Sequence, residues 1–451
     1  MSNAVDSELK SESRRFRAYS TYKESGVEWL GRIPEGWEVS PLYARYDVKL
    51  GKMLDSGRFT GQFRGSYLRN TDVQWDRVNV SDLHEMDFAP SERERYLLRA
   101  GDLLVCEGGE VGRTAIWQGE LAECFYQKAL HRVRPLSSRE HPRFLFWIMR
   151  MVADRGVFSG TANQNTIDHL TATQLRHYRF PFPTHAEQRA IAVFLDWETA
   201  RIDALVAKKE RLITLLQERR TALITRAVTE GSATAREFRA IDSIVFPKVP
   251  TDWPLVKLRR LLHQVFRPVQ VTSEGEYREI GIRSWGRGIF HKDPVKGALL
   301  DEKSIFSVVP GDFVLNIVFA WEGAAAIVSE NERGMVGSHR FPTFRIDPSV
   351  LPDYLLMVLQ TAQGRSLMEV NSPGAAGRNR TIRLDQFLAE EIPLPPINEQ
   401  ATIVQRFRSE ESLLARLAAR TADAISHLHE LRIALISAAV TGKIDVREAA
   451  Q

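Results

Sequence analysis

The chain repeats itself, and the repeat is longest where the sequence is most regular. Residues Pro183 to Gly231 return as Pro395 to Gly442. Glu187-Gln188 recurs as Glu399-Gln400 and Val228-Thr229 as Val440-Thr441, at one offset (400 − 188 = 440 − 228 = 212), so the copies align without a gap. Between these ends lie Ile191/Ile403, Leu205/Leu417, Ile213/Ile425, Leu216/Leu428, Arg220/Arg432 and Ala222-Leu223-Ile224/Ala434-Leu435-Ile436. Self-similarity of this length dictates a duplicated architecture before any other consideration.

The repeated stretch reads as a helix. It has no proline after Pro183 and no glycine before Gly231, and Leu195, Ile202, Leu205, Leu212, Leu216 and Leu223 follow at steps of three, four and seven. That spacing makes one apolar stripe with charge on the other side. Thr184 with Glu187 forms a capping box at the start, and Gly231 stops the end. A helix of roughly 40 residues is about 60 Å long, too long to hide its stripe in a small domain. Its natural partner is its own repeat, which predicts an antiparallel helix pair, or coiled coil, made from one chain.

The repeat continues outside the helices, less regularly. Ile33-Pro34-Glu35-Gly36-Trp37 answers Val249-Pro250-Thr251-Asp252-Trp253, and Tyr67-Leu68-Arg69 answers Gly281-Ile282-Arg283. Ala100-Gly101-Asp102 answers Pro310-Gly311-Asp312, and Asn165-Thr166-Ile167 answers Arg380-Thr381-Ile382. The predicted order is a flexible tail (1–19), a globular unit (20–182), a long helix (183–231), a linker with little regular structure (232–248), a second globular unit (249–394), a second long helix (395–442) and a tail (443–451). Each globular unit reads as mixed α/β (α+β). Leu103-Leu104-Val105 and Phe313-Val314-Leu315 are strand-like, and Pro142 to Met151 and Leu351 to Met368 are helical.

At 451 residues with 43% hydrophobic and 26% charged residues, the composition is that of a folded chain of two or three domains. A net charge of +4 permits an anionic partner without requiring one. Cys106 and Cys124 lack metal-ligand spacing and read as plain thiols of a reducing compartment. With a polar, charged start and no long apolar run, a cytoplasmic protein without a membrane span is expected.

Motifs of catalysis do not emerge. The chain has no Gly-x-x-x-x-Gly-Lys loop, no His-Glu-x-x-His, no Cys-x-x-Cys and no Gly-x-Ser-x-Gly. Asp102, Glu107, Asp312 and Glu322 are the acidic residues a Mg²⁺-dependent nuclease could use, but no suitable lysine follows either set, and Asp102 and Asp312 suit Gly-Asp turns. Binding is the better reading, with neither a catalytic residue nor a metal ligand assigned. Basic, amide and aromatic side chains gather in corresponding loops. In the first half these are Arg64, Tyr67, Arg69, Asn70, Gln74, Arg113, Gln127, Lys128, Gln164 and Asn165, with Arg77, His131 and Asn163 beside them. In the second they are Arg283, Trp285, Arg287, Trp321, His339, Arg340, Arg378, Asn379 and Arg380. Arg, Asn and Gln can contact base edges in the major groove, while Lys and Arg hold phosphates.

The run Tyr22-Lys23-Glu24-Ser25-Gly26-Val27-Glu28-Trp29-Leu30-Gly31-Arg32-Ile33-Pro34-Glu35-Gly36-Trp37 resembles the opening of type I restriction-modification specificity subunits. The Pro-x-Pro, Glu-Gln and long-helix block, present twice, is similar to that family's conserved regions, as is the ending Ala439-Val440-Thr441-Gly442-Lys443-Ile444-Asp445-Val446-Arg447. The first helix departs from that ending, closing on Ala227-Val228-Thr229-Glu230-Gly231. The resemblance implies two target recognition domains, each reading one half of a split, asymmetric site in double-stranded DNA, with the helix pair setting the gap. It also implies two modification (adenine methyltransferase) subunits and two restriction (translocase and nuclease) subunits as partners. S-adenosylmethionine, ATP and Mg²⁺ would sit on those partners and none on this chain, a non-catalytic subunit. The alternative is a duplicated scaffold that binds protein partners without reading DNA sequence.

Overall fold

The computed structural model describes residues 17–54, 57, 59–158, 169–232, 236–300, 303–374 and 380–448. Two compact units emerge, Met1–Glu210 with Asp423–Gln451, and Arg211–Ala422. The long helices are His185–Glu230, of 46 residues, and Ile397–Val440, of 44. At 1.5 Å per residue each is on the order of 65–70 Å long. Each begins in one unit and ends in the other, so each unit contains the start of one helix and the end of the other.

The frame of the first unit is a four-stranded antiparallel sheet in the order Thr114–Ile116, Leu103–Cys106, Leu130–Pro135, Tyr46–Leu50. The second unit has the same order in Ala325–Ile327, Phe313–Leu315, Thr343–Ile346, Leu262–Val265. Leu103–Cys106 and Phe313–Leu315 are buried along their whole length, which explains their unbroken apolar runs. A helix rich in large apolar residues packs on each sheet. Pro142–Asp154 supplies Phe144, Trp147, Ile148 and Met151 to the first core. In the second unit the segment expected to be one helix is two, Pro352–Gln360 and Ala362–Val370. The break falls at Thr361, whose hydroxyl accepts from Gly364 N at 3.1 Å and so caps the second helix.

Helix pairing is antiparallel within each unit. In the first, Ile191, Leu195, Ile202 and Val206 share a core with Leu435, Ile436, Ala439 and Val440. In the second, Ile224 and Val228 meet Ile403, Val404 and Phe407. The repeat-related arginines do the same work, Arg220 pairing with Glu411 at 2.5 Å and Arg432 with Asp203 at 3.2 Å. One detail of the predicted stripe is wrong. Leu205 and Leu212 are 38% and 44% exposed, and Val206 takes the buried place. A heptad pattern drifts by roughly 20° per repeat on a straight helix, so positions that follow the stripe at one end leave it further along.

The Glu-Gln step fastens each long helix to its unit. Gln188 and Gln400 are completely buried. Gln188 Oε1 accepts His141 N at 2.8 Å and its Nε2 donates to Pro183 O at 3.1 Å. Gln400 Oε1 accepts Leu351 N at 2.8 Å, and its Nε2 donates to Pro395 O and Ser349 O, both at 2.9 Å. The preceding carboxylates are matched too. Glu187 accepts from Trp37 Nε1 at 3.1 Å and from the Tyr19 hydroxyl at 2.6 Å. Glu399 accepts from Trp253 Nε1 at 3.1 Å and from Arg236 Nη1 at 2.8 Å. The helix exits press against the same tryptophans. A Cβ at Gly231 (φ 78°) would come within 2.8 Å of Trp253, and one at Gly442 (φ 71°) within 2.3 Å of Pro34. Glycine is required at both by conformation and by space.

Three segments expected to be loose are built into this arrangement. Phe238–Ala240 of the linker pairs with Lys248–Pro250, and Arg236 pairs with Glu399. In the C-terminal tail, Ile444 and Val446 are buried, and Asp445 N donates to Arg17 O at 2.7 Å. In the N-terminal tail, Arg17 makes that contact and Tyr19 binds Glu187, while residues 1–16 lie outside the described residues. The buried carboxylates at the helix starts need donors, and these segments supply them.

Replacing Gln188 or Gln400 by Ala leaves buried backbone groups unpaired and costs about 2–4 kcal/mol, measurable by denaturant unfolding. A pH effect follows at Glu399. Burial alone would raise its pKa, but Arg236, Trp253 and Ser232 N outweigh this and hold it below the usual 4.5. Its folded pKa is therefore the lower one, so its stabilisation is complete above pH 4.5 and is lost as pH falls through the folded value. Glu399→Gln should lower stability at pH 7 and flatten the loss of stability below about pH 4.5.

Candidate nucleic-acid interface

The loops singled out in the sequence converge in each unit on the segment that follows the buried central strand. In the first unit Glu107 N donates to Ala129 O at 3.0 Å, and Leu170 N donates to Glu107 O at 2.8 Å. In the second unit Ile317 N donates to Arg340 O at 3.1 Å, and Ile382 N donates to Ile317 O at 2.9 Å. The same backbone hub thus gathers three loops in both units. It aligns Ile382 with Leu170, three residues beyond the expected Ile167.

What the loops carry differs. In the first unit the polar side chains are largely engaged with the protein. Arg69 Nε donates to Asp72 Oδ2 at 2.9 Å and its Nη2 to Asp72 Oδ1 at 2.8 Å, and Nη1 lies 2.7 Å from His84 Nε2. Asp72 is 5% exposed. Burial alone would raise its carboxyl pKa, but Arg69 and its backbone N–H hold it below the usual value. Arg69 is therefore a structural member of the turn Asn70–Asp72 and not an unengaged base reader. Arg113 is mostly covered and donates to Asn70 O at 2.8 Å. Gln74 Nε2 binds Thr71 O at 3.0 Å. Tyr67 is 3% exposed and belongs to the core beneath the loops, so it does not reach a ligand. His131 is fully buried, with Nε2 at 2.6 Å from Leu170 O.

The side chains left outward in this unit include Arg64, Arg77 and Lys128, with Asn70 and Gln127 half-buried. Arg64 lies 3.7 Å from Glu85, and Gln127 N donates to Leu68 O at 3.0 Å, which sets Lys128 beside that strand's end. Asn163, Gln164 and Asn165 lie outside the described residues.

In the second unit the candidates are more exposed, although Arg283 Nη1 donates to Ile289 O at 3.1 Å. Arg283, Trp285 and Arg287 occupy the turn between strands Ile280–Ile282 and Ile289–His291 and line one cavity of about 510 Å³. His339 and Arg340 are exposed beside the hub. Trp321 is half-buried, with Nε1 on Val318 O at 3.2 Å and the Arg380 guanidinium 5.3 Å from its ring centre. Arg380 also pairs with Glu369 at 3.1 Å, while Arg378 and Asn379 lie outside the described residues. Sequence reasoning missed Lys292 and Phe319 on the same cavity. A lysine directly after a strand and an aromatic two residues before Trp321 carry no distinctive signal.

Two of the acidic residues weighed for metal-dependent cleavage, Asp102 and Asp312, have structural partners. Asp102 binds Arg134 at 2.6 Å and accepts from Arg99 N at 2.7 Å. Asp312 pairs with Arg267 at 2.5 Å and accepts from Val309 N at 3.0 Å. Among the described residues, no group of three or more His, Cys, Asp or Glu side chains is placed to hold a metal ion, and no helix is long and apolar enough to cross a membrane.

A duplicated mixed α/β chain, with loop clusters carried on an antiparallel pair of long helices, is the class this fold defines. Residues 34–214 match the type I restriction modification DNA specificity domain. The putative type I restriction enzyme MjaX specificity subunit of Methanocaldococcus jannaschii is 22% identical over 420 residues, 87% of this chain and 91% of the relative. The EcoKI specificity subunit of Escherichia coli is 21% identical over 441 residues, 92% and 90% of the two chains. The HsdS subunit from Thermoanaerobacter tengcongensis has the same fold, with a TM-score of 0.55 at 17% identity over 93% of this chain and all of that one. A chain from a type I R-M system studied for complex assembly superposes with a TM-score of 0.63 at 15% identity, over 90% and 98% of the two chains. Residues 34–214 thus carry the type I restriction modification DNA specificity domain, and the chain is similar over nearly its whole length to type I restriction enzyme specificity subunits.

The two arginines that occupy matching sequence positions should behave differently. Arg69→Ala strands the Asp72 carboxylate and should lower the melting temperature by about 4–8 °C, taking ~2 kcal/mol for the lost charged hydrogen bonds. Arg283→Ala, at an exposed site, should leave it within about 2 °C. Differential scanning calorimetry of the two variants checks this.

Proposed function

We propose that each unit reads one half of a split, asymmetric site in double-stranded DNA, and that the helix pair sets the unread gap. The observation that carries this reading is the repeated backbone hub. It presents basic, amide and aromatic side chains at equivalent places in two units whose loop sequences differ. Two similar readers with different side chains suit two unlike half-sites. Exposed Arg64, Lys128, Arg283, Arg287 and Arg340 would supply phosphate and base contacts, and Asn70, Gln127, His339 and Arg380 would add shorter-range ones. Gln164, Asn165, Arg378 and Asn379 remain part of the proposed interface by sequence position. Arg69, Arg113, Gln74 and Trp321 act by shaping the loops.

The chain is non-catalytic in this reading. It docks two modification subunits, which hold S-adenosylmethionine and methylate adenine, and two restriction subunits, which use ATP and Mg²⁺. Its similarity to the specificity subunit of the type I restriction enzyme EcoKI, and to a chain from a type I R-M system studied for complex assembly, supports that assignment.

The test is selection from random duplex DNA with this chain co-purified with its modification subunit. The expected product is a motif of two short defined halves with a constant gap. Retention without a motif would favour the scaffold alternative. Deleting Ala207–Ile213 together with the repeat-matched Ala419–Ile425 shortens each helix by about 10 Å. At about 3.4 Å per base pair, the gap should shrink by ~3 base pairs with both half-sites unchanged. Altered half-sites would count against the helices as a spacer.

A further inference from the structure

We infer that Trp285 is a stacking wedge, placed to lay its indole against a base of the second half-site. This rests on the DNA-reading function proposed above. The residue is unusual in three respects. Its backbone is left-handed, with φ of 65°, a conformation that only Asp76 shares among the described non-glycine residues. Its side chain is 58% exposed, although indole is among the most costly groups to leave in water. Cations surround it: Arg283, Arg287 and Lys292 line the same cavity, and the Arg365 guanidinium stands 5.7 Å from its ring centre.

The exposed ring is held out by the neighbouring loop. Trp285 N donates to Glu322 O at 2.8 Å, and Gly286 N donates to Gly323 O at 3.2 Å. The Ser284 hydroxyl donates to the Glu322 carboxylate, and Gln360 Nε2 reaches Gly286 O at 3.5 Å. Gly286 and Gly288 also have positive φ, at 63° and 76°, and let the turn bend sharply around the tryptophan. A left-handed non-glycine residue persists only where its surroundings over-determine it, and such residues cluster at functional sites. Here the fastening comes from the segment that forms the hub, so the indole is fixed in the same frame as the other reading loops.

The occupant follows from the chemistry around the ring. A nucleobase offers a flat π face, and stacking on an aromatic side chain is favourable for any base. The flanking arginines and lysine are placed to take the phosphates on either side of the stacked step. The cavity beneath adds Phe290, Phe319 and Phe341, so the platform is aromatic in depth. Among the described residues, the first unit has no equivalent. The position related by the local offset of 214 (283 − 69) is Thr71, in the turn closed by Arg69 and Asp72. Wedging is thus a property of one half-site alone.

The test uses the full chain with its modification subunit on the duplex recovered by selection. Trp285→Ala should weaken binding about 10- to 100-fold, while Trp285→Phe should stay within about threefold of the original. A scan of single abasic positions through the second half-site should find one at which the original and Trp285→Ala chains bind alike, because the stacking partner is gone. Abasic positions in the first half-site should leave the difference intact. Equal binding of the original and Trp285→Ala chains to intact DNA overturns the wedge, as does a scan that never brings the two together. Failure of the original chain to select any defined half-site overturns the DNA-reading function itself, and is seen before the variants are compared.

Discussion

Everything in this fold hangs on a buried amide at the second position of the Glu-Gln step. Gln188 and Gln400 have no contact with solvent, and each spends both ends of its side chain on backbone groups of its own unit. A buried amide without those partners would be costly, so the hydrogen bonds admit one position of the helix start and no near neighbour. The adjacent carboxylate fixes a second point through Trp37 or Trp253. Two points of attachment define a direction as well as a position. The sheet, the packing helix and the loop hub of each unit therefore keep a set orientation to the helix that leaves it.

The loops proposed to read DNA are organised by a different rule. Their shared hub consists of backbone hydrogen bonds around Glu107 and Ile317, which place no demand on side-chain identity. The side chains can then differ widely between units on one frame. The first unit has closed its polar groups into internal pairs, Arg69 with Asp72 and Arg113 with the Asn70 carbonyl. The second leaves Arg283, Trp285 and Arg287 outward around a cavity. The asymmetric target proposed above would be the natural counterpart of a symmetric frame bearing unlike loops.

Much of this was legible in the residues. The helices were visible because their period is local and their duplication gap-free, and the central strands because buried strands read as unbroken apolar runs. What escaped depends on partners far away in the chain. Residues 232–248 and 443–448 look like linker and tail until their targets, Glu399 and the strand-like segment at Arg17, are in place. Arg69 and Arg283 sit at matching places, yet an aspartate three residues on captures the first, while the second, with Gly286 at that place, stays exposed and donates to the Ile289 carbonyl. Tyr67 fell on the wrong side because strand alternation over five residues leaves one face in the core.

The two helix exits differ in how far the chain must travel to be caught. Gly442 is met by the Tyr22 hydroxyl across a separation of 420 residues, whereas Gly231 is met by Trp253 only 22 residues on (253 − 231). Each doubling of a flexible loop adds about 0.6 kcal/mol of closure entropy, and a little over four doublings separate the two, about 2.5 kcal/mol. Equivalent seams are therefore unequal in their cost of formation. In the second unit the contact between Gly231 and Trp253 can form as soon as its own strand follows the helix, before Glu399 arrives to bind that tryptophan. The first closes its seam only when the far end of the chain returns, which makes the meeting of the two ends a late step in assembly and an early one in opening.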